Sequence, residues 1–243
     1  MYYKNNLVGF LNILEMVKKY NVKSIIFSSS ATVYGNPDSI PAKETAKRSF
    51  TNPYGGTKLM SEQILEGLNV SDKNLSIIIL RYFNPVGAHK TGLIGENPKG
   101  IPNNLMPIVL KVATGEMEKV KIFGNDYDTI DGTGVRDYIH VVDLAKGHVA
   151  ALKKLEKGSG LTKYNLGTGI GYSVLDIVKS ASAAVGRDLP YVIGPRRAGD
   201  IAACYADATK AKQELGWEAL YDVKRMCEDS WRWQSKHPNG FDE

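Results

Sequence analysis

The sequence predicts an α/β fold: a doubly wound parallel sheet followed by a smaller α/β domain. Three observations carry this. Residues 5–19 place Leu7, Leu11, Leu14 and Val17 at helical spacing. Residues 75–80 (LSIIIL) form an unbroken, β-branched apolar run, as expected of a parallel strand buried on both faces. Helix, strand, helix and strand alternate through the first third, which implies parallel strands joined by right-handed crossovers.

The elements follow in order. A short strand at 23–28 centres on Ile25, Ile26 and Phe27. A helix at 53–68 carries Pro53 in its first turn, where a missing N–H costs nothing. Residues 84–104 collect Gly, Pro and Asn and read as a long loop, a length usually tied to function. A helix near 104–114, a strand near 120–123 and a turn-rich stretch at 124–134 come next. Then follow a strand at 136–141, a helix at 142–154, a strand at 163–166 and a helix at 173–185. A strand near 190–193 and helices near 207–215 and 221–235 complete the chain. The sheet domain is expected at 1–86 and the second domain at 87–243, with some later segments returning to the first.

At 243 residues, 43% hydrophobic and 23% charged, the chain can hold a core without cross-links. Its formal charge of +5 is spread among acidic residues, which argues against a nucleic-acid partner. Cys204 and Cys227 are too few for a disulfide framework and point to reduced thiols and a cytoplasmic setting. No apolar run approaches the roughly 18 residues of a membrane span, so no membrane partner is expected. Met1 to Asn6 does not resemble a signal peptide. No metal site is expected.

Tyr54 and Lys58 stand four apart at a helix start, so they share a face. A free tyrosine has a pKa of about 10, too high for an efficient base near neutrality. A nearby ammonium favours the phenolate, so this pair can take a proton from an alcohol. Ser28, Ser29 and Ser30 follow the 23–28 strand, at the carboxyl end where open parallel sheets bind ligands. A serine there can bond both a substrate hydroxyl and Tyr54. Gly167-Thr168-Gly169-Ile170-Gly171 follows a strand, but its spacing does not match a dinucleotide-binding turn, and it reads as a structural loop.

The strings SSSATVYGNP (28–37), NPYGGTK (52–58), RYFNPVGAH (81–89), GIPNNLMP (100–107), IFGNDYDTIDGTGVRDYIHVVDLA (122–145), YNLGTG (164–169) and RRAGD (196–200) resemble the UDP-glucose 4-epimerase family of the extended short-chain dehydrogenase/reductase superfamily. The resemblance spans essentially the whole chain and implies a Rossmann-like fold. It assigns Ser30, Tyr54 and Lys58 as catalytic. Asn6, Ser28, Tyr54, Lys58, Tyr82 and Pro85 fall on the NAD side. Ser30, Asn84, Asn104, Arg136, Arg197, Asp200 and Cys204 fall on the UDP-sugar side. Arginines suit a diphosphate because their donors form a fixed fork. The implied reaction is that of an isomerase: Tyr54 takes the 4-hydroxyl proton, C4 is oxidised at the expense of NAD, the 4-keto sugar turns over, and C4 is reduced from its other face. A homodimer is implied by the resemblance alone.

Cys204 matches a position held by tyrosine in some family members. The smaller side chain leaves room for an N-acetyl group, so UDP-GlcNAc and UDP-GalNAc become expected substrates. The family also has first strands, a glycine-rich turn and an acidic ribose-binding residue ahead of the stretch matched here. The sheet is therefore expected to be truncated at its N-terminal half, with exposed edges and apolar faces. Three rival readings exist, of which a generic interaction module has no sequence feature in its favour. A 4,6-dehydratase needs a Thr-Asp-Glu run, against Ser30-Ala31-Thr32 here. A UDP-sugar-binding fragment without turnover follows from the missing front. Phe10, Gly56 and a loop before Tyr54 that is one residue short depart from the family pattern without touching a catalytic group.

Overall fold

The computed structural model of the chain describes residues 1–158 and 160–241. A π-helical turn (Tyr3–Val8) runs directly into α1 (Gly9–Lys19). β1 (Ser24–Ser30), α2 (Pro53–Ser71), β2 (Ser76–Tyr82) and β3 (Asn84–Val86) follow. Then come α3 (Leu105–Thr114), β4 (Val120–Phe123), β5 (Val135–Arg136), β6 (Tyr138–His140) and α4 (Val141–Leu155). The remainder comprises β7 (Leu161–Leu166), β8 (Tyr172–Ser173), α5 (Val174–Val185), β9 (Tyr191–Gly194), β10 (Ala203–Cys204), α6 (Thr209–Leu215) and α7 (Val223–Lys236). Two compact units share these elements. The first comprises Met1–Phe83, Ala145–Gly169 and Ala206–Glu218; the second comprises Asn84–Leu144, Ile170–Tyr205 and the chain from Ala219 onward.

The first unit is built on a parallel sheet in the order β1–β2–β7. Strand alternation decides what each face buries. Ile77 and Ile79 of β2, with Ile25 and Phe27 of β1, pack against Phe10 and Leu14 of α1 and Leu65 of α2. The opposite face is met by α4 and α6. Gly147 of α4 lies so close to Leu166 that a Cβ there would sit 2.8 Å from its side chain, and Tyr164 of β7 donates to Glu214 of α6 at 2.7 Å. Helices thus lie on both faces, the doubly wound arrangement. β1 and β7 are the two edges of this sheet, and Leu11, Ile13 and Met16 of α1 are exposed.

α2 starts where its sequence dictates. The Asn52 side chain accepts from Gly55 N at 2.9 Å, and Pro53 occupies the first turn. Gly55 and Gly56 allow a close approach: a Cβ would lie 3.0 Å from the Thr32 carbonyl at Gly55 and 3.3 Å from the Phe50 ring at Gly56. The departure at Gly56 thus has a packing reason. One turn past Lys58, the fully buried Glu62 meets the fully buried Arg81 of β2. Arg81 Nε and Nη2 donate to the two carboxylate oxygens at 2.9 and 2.6 Å. Ser29 of β1 donates to the same carboxylate at 2.6 Å and Arg48 at 3.0 Å.

The second unit packs Val109 and Val112 of α3, Val120 and Ile122 of β4, Ile177 and Val178 of α5 and Met226 of α7 into one core. Its strands are short: β3 pairs with β6, β4 with β9, and β5 lies between β8 and β10. A reciprocal Ser173–Asp176 cap starts α5. Trp233 of α7 donates to the Glu96 carbonyl at 3.3 Å, and its ring lies so close over Gly95 that a Cβ there would sit 2.0 Å away. This packing pins the segment leading to Asn104.

Three expectations need correction. Ser28–Ser30 do not follow β1 but form its end, because β2 continues to Tyr82 and pairs with them. Asn84–Val86, read as loop, is a strand on Tyr138–His140. The single strand expected at 136–141 breaks at Asp137, whose N–H donates to Cys204 O at 3.1 Å and whose carbonyl accepts from Asn84 at 3.0 Å. Each side of Asp137 therefore follows a different distant partner, which local pattern does not encode.

Glu62→Ala is expected to destabilise the protein by about 3–5 kcal/mol, because it leaves Arg81 buried and unpaired. The double variant Glu62→Met/Arg81→Met should recover most of that loss. Urea unfolding midpoints of the two variants check this; equal losses would show that the ion pair is not the source.

Candidate active site

Parallel strands β1 and β2 end side by side, with Ser28, Ser29 and Ser30 opposite Leu80, Arg81 and Tyr82. The start of α2 brings Tyr54 and Lys58 to these ends. Lys58 Nζ donates to the Ser28 carbonyl at 2.8 Å and stands 5.7 Å from the Tyr54 ring centre and 5.1 Å from that of Phe27. Ser30, only 8% exposed, lies beside the Tyr54 side chain. Its hydroxyl also accepts from Thr32 N at 3.2 Å and Thr32 Oγ1 at 3.0 Å. Tyr82 stands beside the Ser28 side chain, at the paired end of β2. Asn6 sits one step back, donating to Thr57 Oγ1 at 3.0 Å, while Thr57 donates to the Tyr54 carbonyl at 2.7 Å.

The electrostatics differ from the simple expectation. Burial pushes the Tyr54 phenol above the ordinary tyrosine value, and the nearby Tyr82 adds to that; the Ser30 hydroxyl opposes it without winning. Burial also lowers Lys58. The Lys58 ammonium is turned to the Ser28 carbonyl, so its expected lowering of Tyr54 does not prevail.

The second unit contains a cavity of about 480 Å³. Asn84, Pro85, Asn104, Arg136, Arg197 and Asp200 all line it, beside apolar and aromatic residues including Phe123 and Tyr127. Arg197 pairs with Asp200, Nη2 to Oδ1 at 2.9 Å, and its guanidinium lies 5.6 Å from the Phe123 ring centre. This pair is largely solvated on the arginine side, so it is weak and yields readily to a stronger anion. Arg136 donates to the Val135 carbonyl at 2.8 Å. Pro85, assigned to the NAD side with Tyr82, lies among the cavity residues. Cys204 is absent from the cavity lining: it is buried on β10, in register with Arg136, and burial pushes its thiol up to about 11.

Sequence reading missed His148. Its Nε2 lies 3.0 Å from Ser28 Oγ, and its ring centre 6.2 Å from that of Tyr82. The pair is 120 residues apart, and nothing in the α4 pattern marks it. Phe123 and Tyr127 were also missed as cavity residues, although Tyr127, an aromatic in a turn-rich stretch, offered a usable signal.

The family model described as the NAD-dependent epimerase/dehydratase family matches residues 1–167. The chain belongs to that family. It is 58% identical over 240 residues to the UDP-glucose 4-epimerase of Bacillus subtilis (strain 168), covering 99% of this chain and 71% of that protein. It is 56% identical to the human UDP-glucose 4-epimerase, covering 99% of this chain and 69% of that protein. A crystal structure of UDP-glucose 4-epimerase from Bifidobacterium longum, in complex with NAD+ and UDP, superposes with a TM-score of 0.96 at 58% identity, covering 99% of this chain and 72% of that one. The chain's place among the UDP-glucose 4-epimerases, its Rossmann-like fold and NAD as the family's cofactor follow from these matches. Among the described residues, no helix is long and apolar enough to cross a membrane.

The first unit's donor set suits the nicotinamide-ribose end of NAD. Lys58 makes one hydrogen bond to Ser28, leaving further ammonium donors for a ribose diol. Among the described residues, no strand and glycine-rich turn stand ahead of β1 for the pyrophosphate.

Because folding raises Tyr54, its neutral form is favoured, and the stability it supports is present below the free tyrosine pKa and lost as pH rises past it. The absorbance difference between the wild-type chain and Tyr54→Phe is expected to show one phenolate forming above pH 10. A midpoint below 10 would contradict the burial argument.

Proposed function

We propose that the chain interconverts UDP-glucose and UDP-galactose by oxidation at C4, rotation of the 4-keto sugar and re-reduction. The Ser30–Tyr54–Lys58 cluster at the carboxyl ends of the parallel strands carries this reading. Tyr54 as phenolate accepts the proton of the sugar 4-hydroxyl and later returns it. Ser30 orients that hydroxyl by hydrogen bonding. Lys58, anchored on the Ser28 carbonyl, and Tyr82 hold the nicotinamide end. Bound NAD would supply the oxidising equivalent at C4 and take it back, and its cationic ring would favour the Tyr54 phenolate.

Asn84, Asn104, Arg136, Arg197 and Asp200 hold the UDP. Arg197 exchanges Asp200 for phosphate oxygens, which frees Asp200 to accept from ribose hydroxyls. Holding the nucleotide while the sugar stays loosely held is what a turnover of the keto sugar requires. In the same reading the chain works as a cytoplasmic homodimer. The compact Cys204 beside Arg136 extends its substrates to UDP-GlcNAc and UDP-GalNAc.

A second reading, UDP-sugar binding without turnover, is favoured by the Tyr54 phenol, which burial holds above the ordinary tyrosine value. The chain supplied with NAD and UDP-galactose is expected to form UDP-glucose, and Tyr54→Phe should lower the rate about 10²–10⁴-fold. Folded, UDP-binding protein with no turnover would select the second reading. Cys204→Tyr is expected to abolish turnover of the N-acetylated sugars and to spare UDP-galactose. Unchanged use of both would sink the size argument.

A further inference from the structure

We propose that the Tyr127 hydroxyl is an additional nucleoside-binding group of the second unit's cavity, donating to or accepting from an uncharged polar atom of the UDP base or ribose. The proposal rests on the UDP-sugar reading of that cavity. Tyr127 lines the cavity yet is only 7% exposed. Its hydroxyl oxygen is buried and, among the described residues, has no hydrogen-bond partner. Leaving such a group unsatisfied destabilises the fold. Phenylalanine would pack the same ring without that cost, so the hydroxyl needs a reason outside the fold.

The ring is clamped. The Arg196 guanidinium lies 4.1 Å from the ring centre, and its Nε is held by Asp126 Oδ1 at 2.7 Å. The ring edge rests on Gly124, where a Cβ would sit 2.8 Å from Tyr127 Cε2. The Gly124 φ of +87° keeps that position suited to glycine. The Tyr127 main chain is fixed as well, its N–H donating to the Gly132 carbonyl at 2.9 Å and its carbonyl accepting from Thr129 at 2.8 Å. A held ring lowers the entropy lost when its hydroxyl binds a ligand.

The neighbouring groups define the ligand's chemistry. Arg136 and Arg197 supply the cations that a diphosphate needs. A neutral hydroxyl, both donor and acceptor, suits the imide, the carbonyls or the ribose hydroxyls of the nucleoside.

The test compares wild-type chain and Tyr127→Phe by calorimetric titration with UDP and with inorganic pyrophosphate, alongside thermal unfolding without ligand. The expected result is a UDP affinity about 3- to 10-fold weaker in the variant, the worth of one hydrogen bond. Pyrophosphate affinity should be unchanged, and the ligand-free unfolding temperature equal or higher. Equal UDP affinity in the two proteins would overturn the proposal. So would equal weakening toward both ligands, or a variant that unfolds at a markedly lower temperature, since each places the hydroxyl's role inside the fold. A wild-type chain that fails to bind UDP would instead overturn the UDP-sugar reading, and this proposal with it.

Discussion

Arg81 and Glu62 meet inside the first unit with no exposed surface on either side chain, and two N–H···O bonds lock the guanidinium to the carboxylate. Neither charge is tolerable there alone. The pair therefore dictates where α2 can sit on β1 and β2, and Ser29 adds a third tie to the same carboxylate. Each residue of this buried network has a reactive neighbour. Ser29 stands between Ser28 and Ser30, Arg81 precedes Tyr82, and Lys58 and Tyr54 lie one and two turns before Glu62 on the same side of α2. The ion pair works from within to fix groups whose chemistry is carried out at the strand ends.

The second unit solves a different problem. Its strands are two to four residues long, too short to form an extensive sheet. The helices α3, α5 and α7 supply the core instead. The cavity is lined from segments that such strands and turns hold in place. Its Arg197 and Asp200 are satisfied by each other at small gain. A ligand carrying two phosphates and a diol can replace that pair with stronger bonds on both sides.

Much of this was legible in the residues. The alternation of elements gave the doubly wound sheet, and the spacing of Tyr54 and Lys58 placed both on one helical face. The RRAGD and IPNNLMP strings located cavity residues. What stayed hidden depends on partners far along the chain. Pairing of Asn84–Val86 with Tyr138–His140 leaves no local period, and the contact of His148 with Ser28 spans two distant elements. The direction of the Tyr54 shift was also illegible. Spacing puts an ammonium nearby, but only the packing shows that the ammonium is directed at a carbonyl and that burial outweighs it.

The interleaving of the two units along the chain has a consequence for synthesis. β2 needs β7 as its second neighbour, and Asn165 on β7 ties Tyr34, the Ala42 carbonyl and the Asp207 carbonyl together. The first unit closes only when the segment ending at Glu218 has left the ribosome. Until then, Ile78 and Leu80 present an apolar face without its covering helices, while the intervening segments of the second unit emerge. Chains usually fold domain by domain from the N-terminus as they are made. Here that order is closed off, so the sheet stays unfinished while the intervening segments of the second unit are made.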